Sequence, residues 1–520
     1  MQNNTLYAVE ERRQLEQARL DVLKTAAERN RWGQFATPPE LALSITRYAH
    51  ELIGGAFVRF LDPAIGTGSF YSALTQVFSR RTIETAVGIE LDPLFADAAT
   101  ALWGGLGLRV VKGDFTRQPP PQQRFNLLLT NPPYVRHHHL RAPEKARLKA
   151  VLAQSLHLGI SGLSGLYSYF LLLCHDWMEE GGIALWLIPS EFMDVNYGTT
   201  LRRYLTERVT LLHIHRFCPT DVQFSDALVS SAVVAYRKSP PPPHHAVRFS
   251  FGGPIQHPQT EMMVPLDELG RSRKWTQFPD RVAVKIGSDL TLGDIFTIKR
   301  GLATGANSFF ILTEAQITNR QIPLSFVKPI LPGPRYVTED IIEALPDGSP
   351  IVSPRLYLLD CREPEEKVKT TWPGLYAYLQ QGREKKVHTS YLTSRRSPWY
   401  SQEQRPAAPF LCTYMGRSHH GRRAIRFIWN RSQATAHNVY LMLYPKGRFR
   451  DLLKNRRDLE PQVFDALQSI DPAQLLSEGR VYGGGLHKVE PNELGQIAAS
   501  PLLEMIERHV HIEHQIPMFT

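Results

Sequence analysis

The sequence predicts an α/β protein whose first half is a mostly parallel, doubly wound sheet, followed by an α+β region. Strand-like segments alternate with helical segments from residue 58 onward, glycine-containing turns follow several of the strands, and a run of prolines ends this pattern. The chain has 520 residues, of which 42% are hydrophobic and 21% are charged. These values fit a soluble protein with two or three domains that have substantial cores.

The elements follow in order along the chain. Residues 6–30 carry apolar side chains at helical intervals and predict one amphipathic helix. Six predicted strands come next: VRFLD, AVGIELD, LRVVKGD, FNLLLTN, IALWLIP and SSAVVAYRK. The segment SPPPPHH (residues 239–245) predicts a stiff spacer. We therefore expect an N-terminal helix at residues 1–32, a first domain at residues 33–240 and a second domain at residues 241–520.

Charge, cysteine and histidine usage narrow the class of protein. The net charge of +10 favours an anionic partner, most commonly nucleic acid. The histidine pairs and triplet lack carboxylate or cysteine partners, so no metal site is predicted. No secretory signal or membrane-spanning apolar run is present, which predicts a cytoplasmic protein without a membrane partner. Four scattered cysteines encode neither a zinc cage nor a disulfide framework: Cys174, Cys218, Cys361 and Cys412.

A glycine-containing loop, DPAIGTGSF (residues 62–70), follows the first predicted strand. Gly66 and Gly68 allow a tight strand-to-helix turn and the close approach of a ligand to the backbone. Glu90, at the end of the next strand, lies 22 residues after Gly68, where an acidic residue can accept hydrogen bonds from ribose hydroxyls. Tyr71 occupies the position of the third glycine in the dinucleotide motif, so a pyrophosphate-containing cofactor is disfavoured.

The dipeptide Asp114-Phe115 follows the third predicted strand and allows two interpretations. In the first, the carboxylate accepts a hydrogen bond from the amino group of an adenine and the ring packs on the purine. In the second, Asp114 caps the following turn and Phe115 belongs to the core.

The segment FNLLLTNPPY (residues 125–134) is a buried strand followed by an Asn at its carboxyl end, where open α/β sheets bind ligands. An exocyclic amine on a nucleobase is a poor nucleophile because its lone pair is delocalised. The side-chain oxygen of Asn131 and the carbonyl of Pro132 can each accept one N–H, which directs the lone pair toward an electrophile. The prolines restrict the backbone, and Tyr134 offers a stacking face.

Together, GQFATPPELA (residues 33–42), DPAIGTGSF, GIELDP, GDF and NPPY resemble the gamma-class, TaqI-like DNA adenine-N6 methyltransferases of restriction-modification systems. The segments GLATGANSFFIL (residues 301–312) and RSPWY are similar to parts of their target-recognition domain. The resemblance implies a Rossmann-like S-adenosylmethionine-dependent methyltransferase domain followed by an α+β target-recognition domain. It also implies transfer to N6 of a flipped adenine in double-stranded DNA, and a separate cognate endonuclease as a possible partner.

The resemblance also assigns roles to residues. Phe35 and Thr37 would close over the methionine end of S-adenosylmethionine, Glu90 would bind its ribose, and Asp114 and Phe115 its adenine. Its amino-acid portion would meet the loop residues Asp62, Ala64, Gly66 and Gly68. Asn131, Pro132 and Tyr134 would hold the target base. Phe224 fits a second stacking residue, with Phe217 as its competitor.

The second domain would supply affinity for DNA and choice of sequence. Its clusters of basic and aromatic residues suit contacts with phosphates or bases. The candidates are Arg395, Arg396, Trp399, Tyr400, Arg417, Arg422, Arg423 and Arg426. Cytosine N4, RNA and protein glutamine are alternative acceptors, because each presents a planar amine or amide nitrogen. A DNA-binding relative without catalysis is a further alternative.

Overall fold

The computed structural model describes residues 2–218, 230–272, 274–279, 290–418, 423–482, 485–503 and 505. The chain divides into two units. The first unit is Met1–Val284 with Tyr482–Gly484, and the second is Lys285–Val481 with Gly485–Thr520. The division therefore falls after residue 284, whereas the proline run predicts it after residue 240.

The first unit alternates strands and helices. Its elements are α1 (Gln2–Asp21), α2 (Ala26–Trp32), α3 (Pro39–Ile53), β1 (Val58–Asp62), α4 (Ser69–Val77), β2 (Ile83–Glu90), α5 (Pro93–Trp103), β3 (Leu108–Lys112), β4 (Phe125–Thr130), α6 (Ala142–Leu156), α7 (Leu166–Leu173), β5 (Met178–Pro189), α8 (Thr199–Glu207), β6 (Thr210–Arg216), β7 (Ser231–Arg237), β8 (Ala246–Phe251), β9 (Thr260–Pro265) and α9 (Leu266–Arg271).

The N-terminal region forms two helices where the sequence predicts one. α1 ends at Asp21, and Thr25 caps α2: its hydroxyl accepts from the Glu28 amide while the Glu28 carboxylate accepts from the Thr25 amide (2.8 Å). This reciprocal capping box starts a new helix, because it satisfies amide donors that have no partner within the helix. α2 ends at Trp32 and is capped by Gly33, whose φ of +64° lies in the left-handed region.

A nine-stranded sheet organises the first unit in the order β3-β2-β1-β4-β5-β7-β6-β8-β9. β1 to β5 are mutually parallel, whereas β7 runs antiparallel to both β5 and β6. The predicted α/β class with a mostly parallel sheet is confirmed, and the six predicted strands correspond to β1–β5 and β7.

Three strands, β6, β8 and β9, are absent from the sequence prediction. β8 pairs in parallel with β6, and β9 pairs antiparallel with β8 at the edge of the sheet. Buried His213 and His215 of β6 contact the Ser250 hydroxyl of β8 at 2.6 and 2.8 Å. The proline run therefore connects two strands of one sheet, so residues 246–265 extend the first unit instead of opening the second.

Both faces of the sheet are covered. Along β4, Leu128 faces one core, whereas Leu127 and Leu129 face the other. Helices α6, α7 and α8 contribute to the first core, and α3 and α4 contribute to the second. Apolar side chains on both faces explain why the parallel strands read as continuous hydrophobic runs.

The second unit contains short strands and helices. Its elements are α10 (Leu292–Ile295), β10 (Phe296–Arg300), α11 (Asn307–Phe310), β11 (Ile311–Thr313), α12 (Glu314–Asn319), β12 (Val327–Leu331), β13 (Ile341–Ile342), β14 (Leu356–Leu359), α13 (Glu365–Thr371), α14 (Pro373–Glu384), β15 (Phe410–Thr413), β16 (Met415–Gly416), β17 (Phe427–Asn430), β18 (Thr435–Ala436), β19 (Tyr440–Pro445), α15 (Gly447–Asn455), α16 (Glu460–Gln468), α17 (Pro472–Glu478), β20 (Arg480–Tyr482), β21 (Leu486–Lys488) and α18 (Pro491–Leu494).

These strands form three small sheets. Their orders are β10-β19-β15-β17-β13, β11-β14-β12-β18 and β16-β21-β20. Mixed parallel and antiparallel pairing agrees with the predicted α+β character. None of the helices in the described part of the chain has the length and apolar character that crossing a bilayer requires.

Candidate active site

The carboxyl ends of β1 and β4 meet where the direction of winding in the sheet reverses. β1 lies between β2 and β4, and the chain proceeds from β1 to β2 on one side and reaches β4 on the other. In open α/β sheets, ligands bind in the crevice at this point. Asp62 ends β1, and Asn131 immediately follows β4, so both predicted site residues lie at this crevice.

Asp62 is a buried carboxyl with a raised pKa. Its side chain is 1% exposed, and its Oδ1 accepts hydrogen bonds from the Thr130 hydroxyl (2.7 Å) and the Ala64 amide (3.0 Å). Burial raises the pKa of Asp62 to about 7, because the charged form loses its hydration and the two hydrogen bonds offset only part of that loss. The carboxyl therefore changes charge near neutral pH.

The two glycines of the loop have different roles. Gly66 has a φ of +55°, and a Cβ at this position would meet no atom within 4 Å, so the loop faces open space here. Gly68 has a φ of +95°, and a Cβ there would lie 2.5 Å from Nε1 of Trp103. That indole donates to the Thr67 carbonyl at 2.9 Å. Gly66 thus leaves room for a ligand, and Gly68 allows the loop to pack on α5.

Glu90 connects the end of β2 to this loop. Its two carboxylate oxygens accept hydrogen bonds from the Gly66 amide (2.9 Å) and the Asp92 amide (2.8 Å). Burial raises the pKa of Glu90 above its ordinary value. Glu90 therefore contacts the glycine loop directly, and the bond from the Gly66 amide holds its carboxylate beside the loop.

Asn131 has one half of its amide bonded and the other half free. Its Nδ2 donates to the Phe35 carbonyl (2.9 Å) and to the Thr37 hydroxyl (3.2 Å). Its Oδ1 is buried and accepts no hydrogen bond from the described residues. Pro132, which is also buried, follows directly and restricts the Asn131 backbone. An acceptor at the ligand-binding edge that no described residue satisfies is suited to a hydrogen-bond donor on a ligand.

The segment that precedes α3 packs onto the NPPY segment. Tyr134 donates its amide to the Gly33 carbonyl (3.1 Å) and its hydroxyl to the Leu187 carbonyl (3.0 Å). Its ring centroid lies 5.7 Å from that of Phe35, and the side chain is 6% exposed. Phe35 and Thr37 therefore lie beside Asn131 and Tyr134, and their contact with a cofactor stays a prediction.

In the structure, Asp114 caps the following turn and Phe115 belongs to the core, as in the second interpretation of the sequence. The Asp114 carboxylate accepts from the Thr116 amide (2.9 Å) and thereby caps a short 3-10 helix. Phe115 is 3% exposed and packs against Phe170 and Trp177. Contact of this pair with an adenine stays a prediction, and the ring does not present a free face in this structure.

The two candidates for the second stacking residue have different outcomes. Phe224 lies outside the described residues. Phe217 is 8% exposed, belongs to the same core as Leu127, and has the His215 ring 4.8 Å away. Phe217 therefore has the surroundings of a core residue, and the assignment of Phe224 stays a prediction.

Sequence reasoning missed three residues that shape the loop: Arg13 of α1, Thr67 and Trp103. The Arg13 guanidinium donates to the Thr67 hydroxyl at 3.1 Å and is 2% exposed. A Glu followed three residues later by an Arg is typical of a solvated helix face, so the pair Glu10 and Arg13 gave no signal of burial.

The predicted nucleic-acid contacts of the second unit separate into buried and exposed groups. Trp399 (9% exposed) and Tyr400 (0% exposed) are core residues. The Trp399 ring packs beside Phe309 and Phe310, and the Tyr400 hydroxyl donates to the Glu363 carbonyl. Their rings are covered by protein, so we do not retain them as base contacts. Arg395, Arg417 and Arg423 are exposed, whereas Arg422 lies outside the described residues.

Arg396 and Arg426 have structural partners. Arg396 donates to the carbonyls of Ala303 and Thr304, both at 2.8 Å, and its burial lowers the pKa of its guanidinium. Arg426 forms an ion pair with Asp340 (2.6 Å) and donates to several backbone carbonyls. Both side chains fix loops of the second unit, so the exposed arginines are the better candidates for an anionic partner.

Metal chemistry has no evident site in the described part of the chain. Within it, no group of three or more His, Cys, Asp or Glu side chains is arranged to hold an ion. Cys174, Cys361 and Cys412 are buried thiols, and Cys218 is partly exposed; none forms a disulfide.

The strand order and the crevice at the ends of β1 and β4 define a doubly wound α/β fold with a ligand-binding edge. A solved structure shares this fold. The MmeI enzyme, solved as a Type IIL restriction-modification enzyme in complex with DNA, superposes with a TM-score of 0.53 at 13% identity. The match covers 88% of this chain and 64% of the MmeI chain, and at this identity it concerns the fold alone.

Sequence comparisons identify the family. Residues 111–223 match the model of the Eco57I restriction-modification methylase, and residues 282–516 match the C-terminal domain of the Type II methyltransferase M.Eco57I. The Type II methyltransferase M.XamI of Xanthomonas campestris pv. amaranthicola is 26% identical over 482 residues (90% of this chain, 85% of the relative). M.AccI of Acinetobacter calcoaceticus is 23% identical over 495 residues, with the same coverage. These matches support a Type II restriction-modification methyltransferase of the Eco57I type.

Proposed function

We propose that this protein transfers a methyl group from S-adenosylmethionine to N6 of an adenine flipped out of double-stranded DNA. It would act as the modification component of a restriction-modification system, paired with a cognate endonuclease. The observation that carries this proposal is the buried Oδ1 of Asn131, which accepts no hydrogen bond from the described residues at the carboxyl end of β4.

The environment of Asn131 suits an amine as the missing donor. Because Nδ2 is held by Phe35 and Thr37, the amide cannot rotate freely, and Oδ1 keeps one direction. An exocyclic amine that donates one N–H to this oxygen and another to the Pro132 carbonyl is pulled toward tetrahedral geometry. Its lone pair then becomes available, since the hydrogen bonds strengthen as positive charge develops on nitrogen.

The loop after β1 fits S-adenosylmethionine. The open space beside Gly66 admits a ligand against the backbone, Asp62 offers a carboxyl for an ammonium group, and Glu90 offers a carboxylate for ribose hydroxyls. When bound, this cofactor supplies an electrophilic methyl carbon on a sulfonium. Asp62, Gly66 and Glu90 would hold it, while Asn131 orients the amine.

DNA is the proposed acceptor because the chain is basic and its family belongs to restriction-modification systems. The amine of a paired base is not accessible inside a stacked duplex, so the base must be extruded, at a cost of a few kcal/mol. Arg395, Arg417 and Arg423 are exposed in the second unit and can contact phosphates.

The test is transfer from labelled S-adenosylmethionine to unmethylated double-stranded genomic DNA, followed by mass spectrometry of the nucleosides. N6-methyladenine is the expected product. N4-methylcytosine would overturn the assigned base, which is the nearest alternative because the same two acceptors suit the cytosine amine. Absence of label in DNA would move the proposal to RNA, to a protein glutamine, or to a DNA-binding relative without catalysis.

Because the pKa of Asp62 is raised to about 7, we expect cofactor binding to depend on pH. Ionisation of its carboxyl near pH 7 favours the ammonium group of the cofactor, so the Kd for S-adenosylmethionine should be about tenfold higher at pH 6 than at pH 8. Glu90, whose pKa is also raised, acts in the same direction. Isothermal titration calorimetry at both pH values measures this change, and Asp62→Asn should flatten it.

The stability of the cofactor-free protein should change with pH in the opposite direction to cofactor affinity. Since the folded-state pKa of Asp62 is raised, its contribution to the free energy of unfolding is present below the ordinary Asp pKa and is lost as pH rises through about 7. An equally steep pH dependence of Kd in Asp62→Asn would exclude Asp62 as its source.

We expect alanine variants of Arg395 and Arg426 to have different effects, the first on DNA binding and the second on stability. Arg395 stacks 3.5 Å from the Tyr391 ring centroid on the surface, and no described carboxylate pairs with it. Arg395→Ala should reduce the slope of log K against log salt by about one, without loss of stability. Arg426→Ala should lower the free energy of unfolding by about 1–3 kcal/mol, because it removes the ion pair with Asp340 and a donor to several backbone carbonyls.

Salt titrations of DNA binding and urea denaturation of both variants provide the measurement. A salt slope that changes equally in both variants would contradict the division into exposed and structural arginines.

A further inference from the structure

The buried guanidinium of Arg13 in α1 bridges to the loop between β1 and α4. Its Nε and Nη2 donate to the two carboxylate oxygens of Glu10, each at 2.7 Å, and the Arg13 side chain is 2% exposed. Nη1 donates instead to the Thr67 hydroxyl at 3.1 Å. A buried charge requires its full set of partners, so the direction of Nη1 is set by the ion pair with Glu10.

Thr67 is held from three directions. Its hydroxyl accepts from Arg13 and donates to the Gln17 side chain (2.8 Å), while its carbonyl accepts from Trp103 (2.9 Å). Thr67 is 2% exposed and stands between Gly66 and Gly68.

The neighbours of Thr67 explain why the loop needs external contacts. Gly66 and Gly68 both have positive φ, and glycine loses more conformational freedom on ordering than any other residue. Backbone bonds from Ile65 to Ile89 and from Gly68 to Ile65 hold part of the loop, and side chains outside it add further contacts. α1, which lies far from the loop in sequence, provides two of these through Arg13 and Gln17.

We propose that Arg13 and Gln17 are positioning residues for the binding of S-adenosylmethionine. By holding the Thr67 hydroxyl, they keep residues 64–68 in the conformation in which the Gly66 amide meets Glu90 and the backbone beside Gly66 stays open. This inference rests on the proposed function, because it concerns the affinity for that cofactor. It assigns a role in the site to a helix that carries none of the predicted site residues.

Thr67→Val tests the inference because it removes the hydroxyl and keeps the branched shape, while the Arg13 and Glu10 pair stays intact. Thr67→Ser retains the hydroxyl and should restore the wild-type properties. Thr46→Val is the matched control, since Thr46 is fully buried and, among the described residues, its hydroxyl donates to the Ala42 carbonyl of its own helix.

Two readouts separate the inference from the proposed function. Hydrogen-deuterium exchange of residues 64–68 in the cofactor-free protein reports on the loop alone, and calorimetric titration reports the Kd for S-adenosylmethionine. We expect faster exchange in this loop and a Kd raised about tenfold for Thr67→Val, with kcat at saturating cofactor and KM for DNA little changed. Thr67→Ser and Thr46→Val should resemble the wild type in both readouts.

Three outcomes would overturn the inference. Unchanged exchange in Thr67→Val would show that the hydroxyl does not hold the loop. Faster exchange with an unchanged Kd would show that loop order does not govern affinity. A Kd raised equally in Thr46→Val would assign the effect to general destabilisation. If the wild type itself binds no S-adenosylmethionine, the proposed function fails as well, and the exchange data then show only how the loop is held.

Discussion

Replacement of Asn131 by alanine should lower the rate of methyl transfer by roughly 100- to 1000-fold, the range found when one preorganised hydrogen-bonding group is removed from an active site. The side chain provides the buried Oδ1 that accepts no bond from the described residues, and alanine has no acceptor at this position. The Kd for S-adenosylmethionine should stay within about twofold of the wild type, because an interaction made with the amine affects kcat and not cofactor binding.

Single-turnover transfer to DNA, combined with calorimetric titration of the cofactor, measures this prediction. The variant also loses the bonds from Nδ2 to Phe35 and Thr37, which should lower the free energy of unfolding by about 1–3 kcal/mol. Asn126→Ala is the matched control. Asn126 lies near the start of the same strand, at the opposite end from Asn131. Its side-chain oxygen accepts from the Arg59 amide (2.7 Å), and its side-chain nitrogen donates to the Phe57 carbonyl (2.6 Å).

The control should lose a similar amount of stability and retain transfer. Wild-type turnover in Asn131→Ala would exclude the amine-orienting role. Equal loss of transfer in Asn126→Ala, measured on folded protein, would show that the effect follows stability instead of the position of the oxygen.

Replacement of Gly33 by alanine should disrupt the junction between α2 and the NPPY segment. A Cβ at this position would lie 2.3 Å from the Tyr134 nitrogen and 2.6 Å from the Val135 nitrogen, which are backbone atoms that cannot rotate away. Together with a φ of +64°, this overlap should lower the free energy of unfolding by about 2–5 kcal/mol. Transfer should fall more than tenfold, because displacement of residues 33–37 removes the carbonyl and hydroxyl that orient Asn131.

Gly54→Ala is a close control for Gly33→Ala. Gly54 also follows a helix in the left-handed conformation, with a φ of +65°, but a Cβ there would meet no atom within 4 Å. Its alanine variant should lose only about 1 kcal/mol, which is the strain of the backbone alone, and should retain transfer. Urea denaturation and transfer assays of both variants measure the difference. Equal effects in the two variants would show that the contact with Tyr134 is unimportant.

The predictable part of the site lies at strand ends. Asp62, Glu90 and Asn131 each follow an apolar run that forms a buried strand, and the parallel strands bring their carboxyl ends to one edge. The pattern along a strand depends on neighbours in sequence, so these positions could be inferred locally. The observed contact between Glu90 and the Gly66 amide agrees with the predicted spacing.

The unpredictable part depends on burial and on contacts between distant segments. Trp399 and Tyr400 lie in a basic stretch that suits a nucleic-acid surface, yet both are core residues. Arg13 lies in a sequence pattern typical of a solvated helix face, yet its side chain is buried and bonds Thr67. Neither outcome has a local pattern, because the exposure of one side chain is set by whichever segments pack over it.

The sequence by itself determined the α/β class, the six strands that it predicts and the positions of the loop glycines and Asn131, since periodicity and turn residues act over a few neighbours. Only the tertiary structure decided that β8 and β9 join the first sheet, that Phe35 and Thr37 bond Asn131, and that α1 contacts the loop after β1. These features arise from pairing and packing across tens to hundreds of residues, where many alternative partners satisfy the same local pattern and only the complete set of buried contacts selects among them.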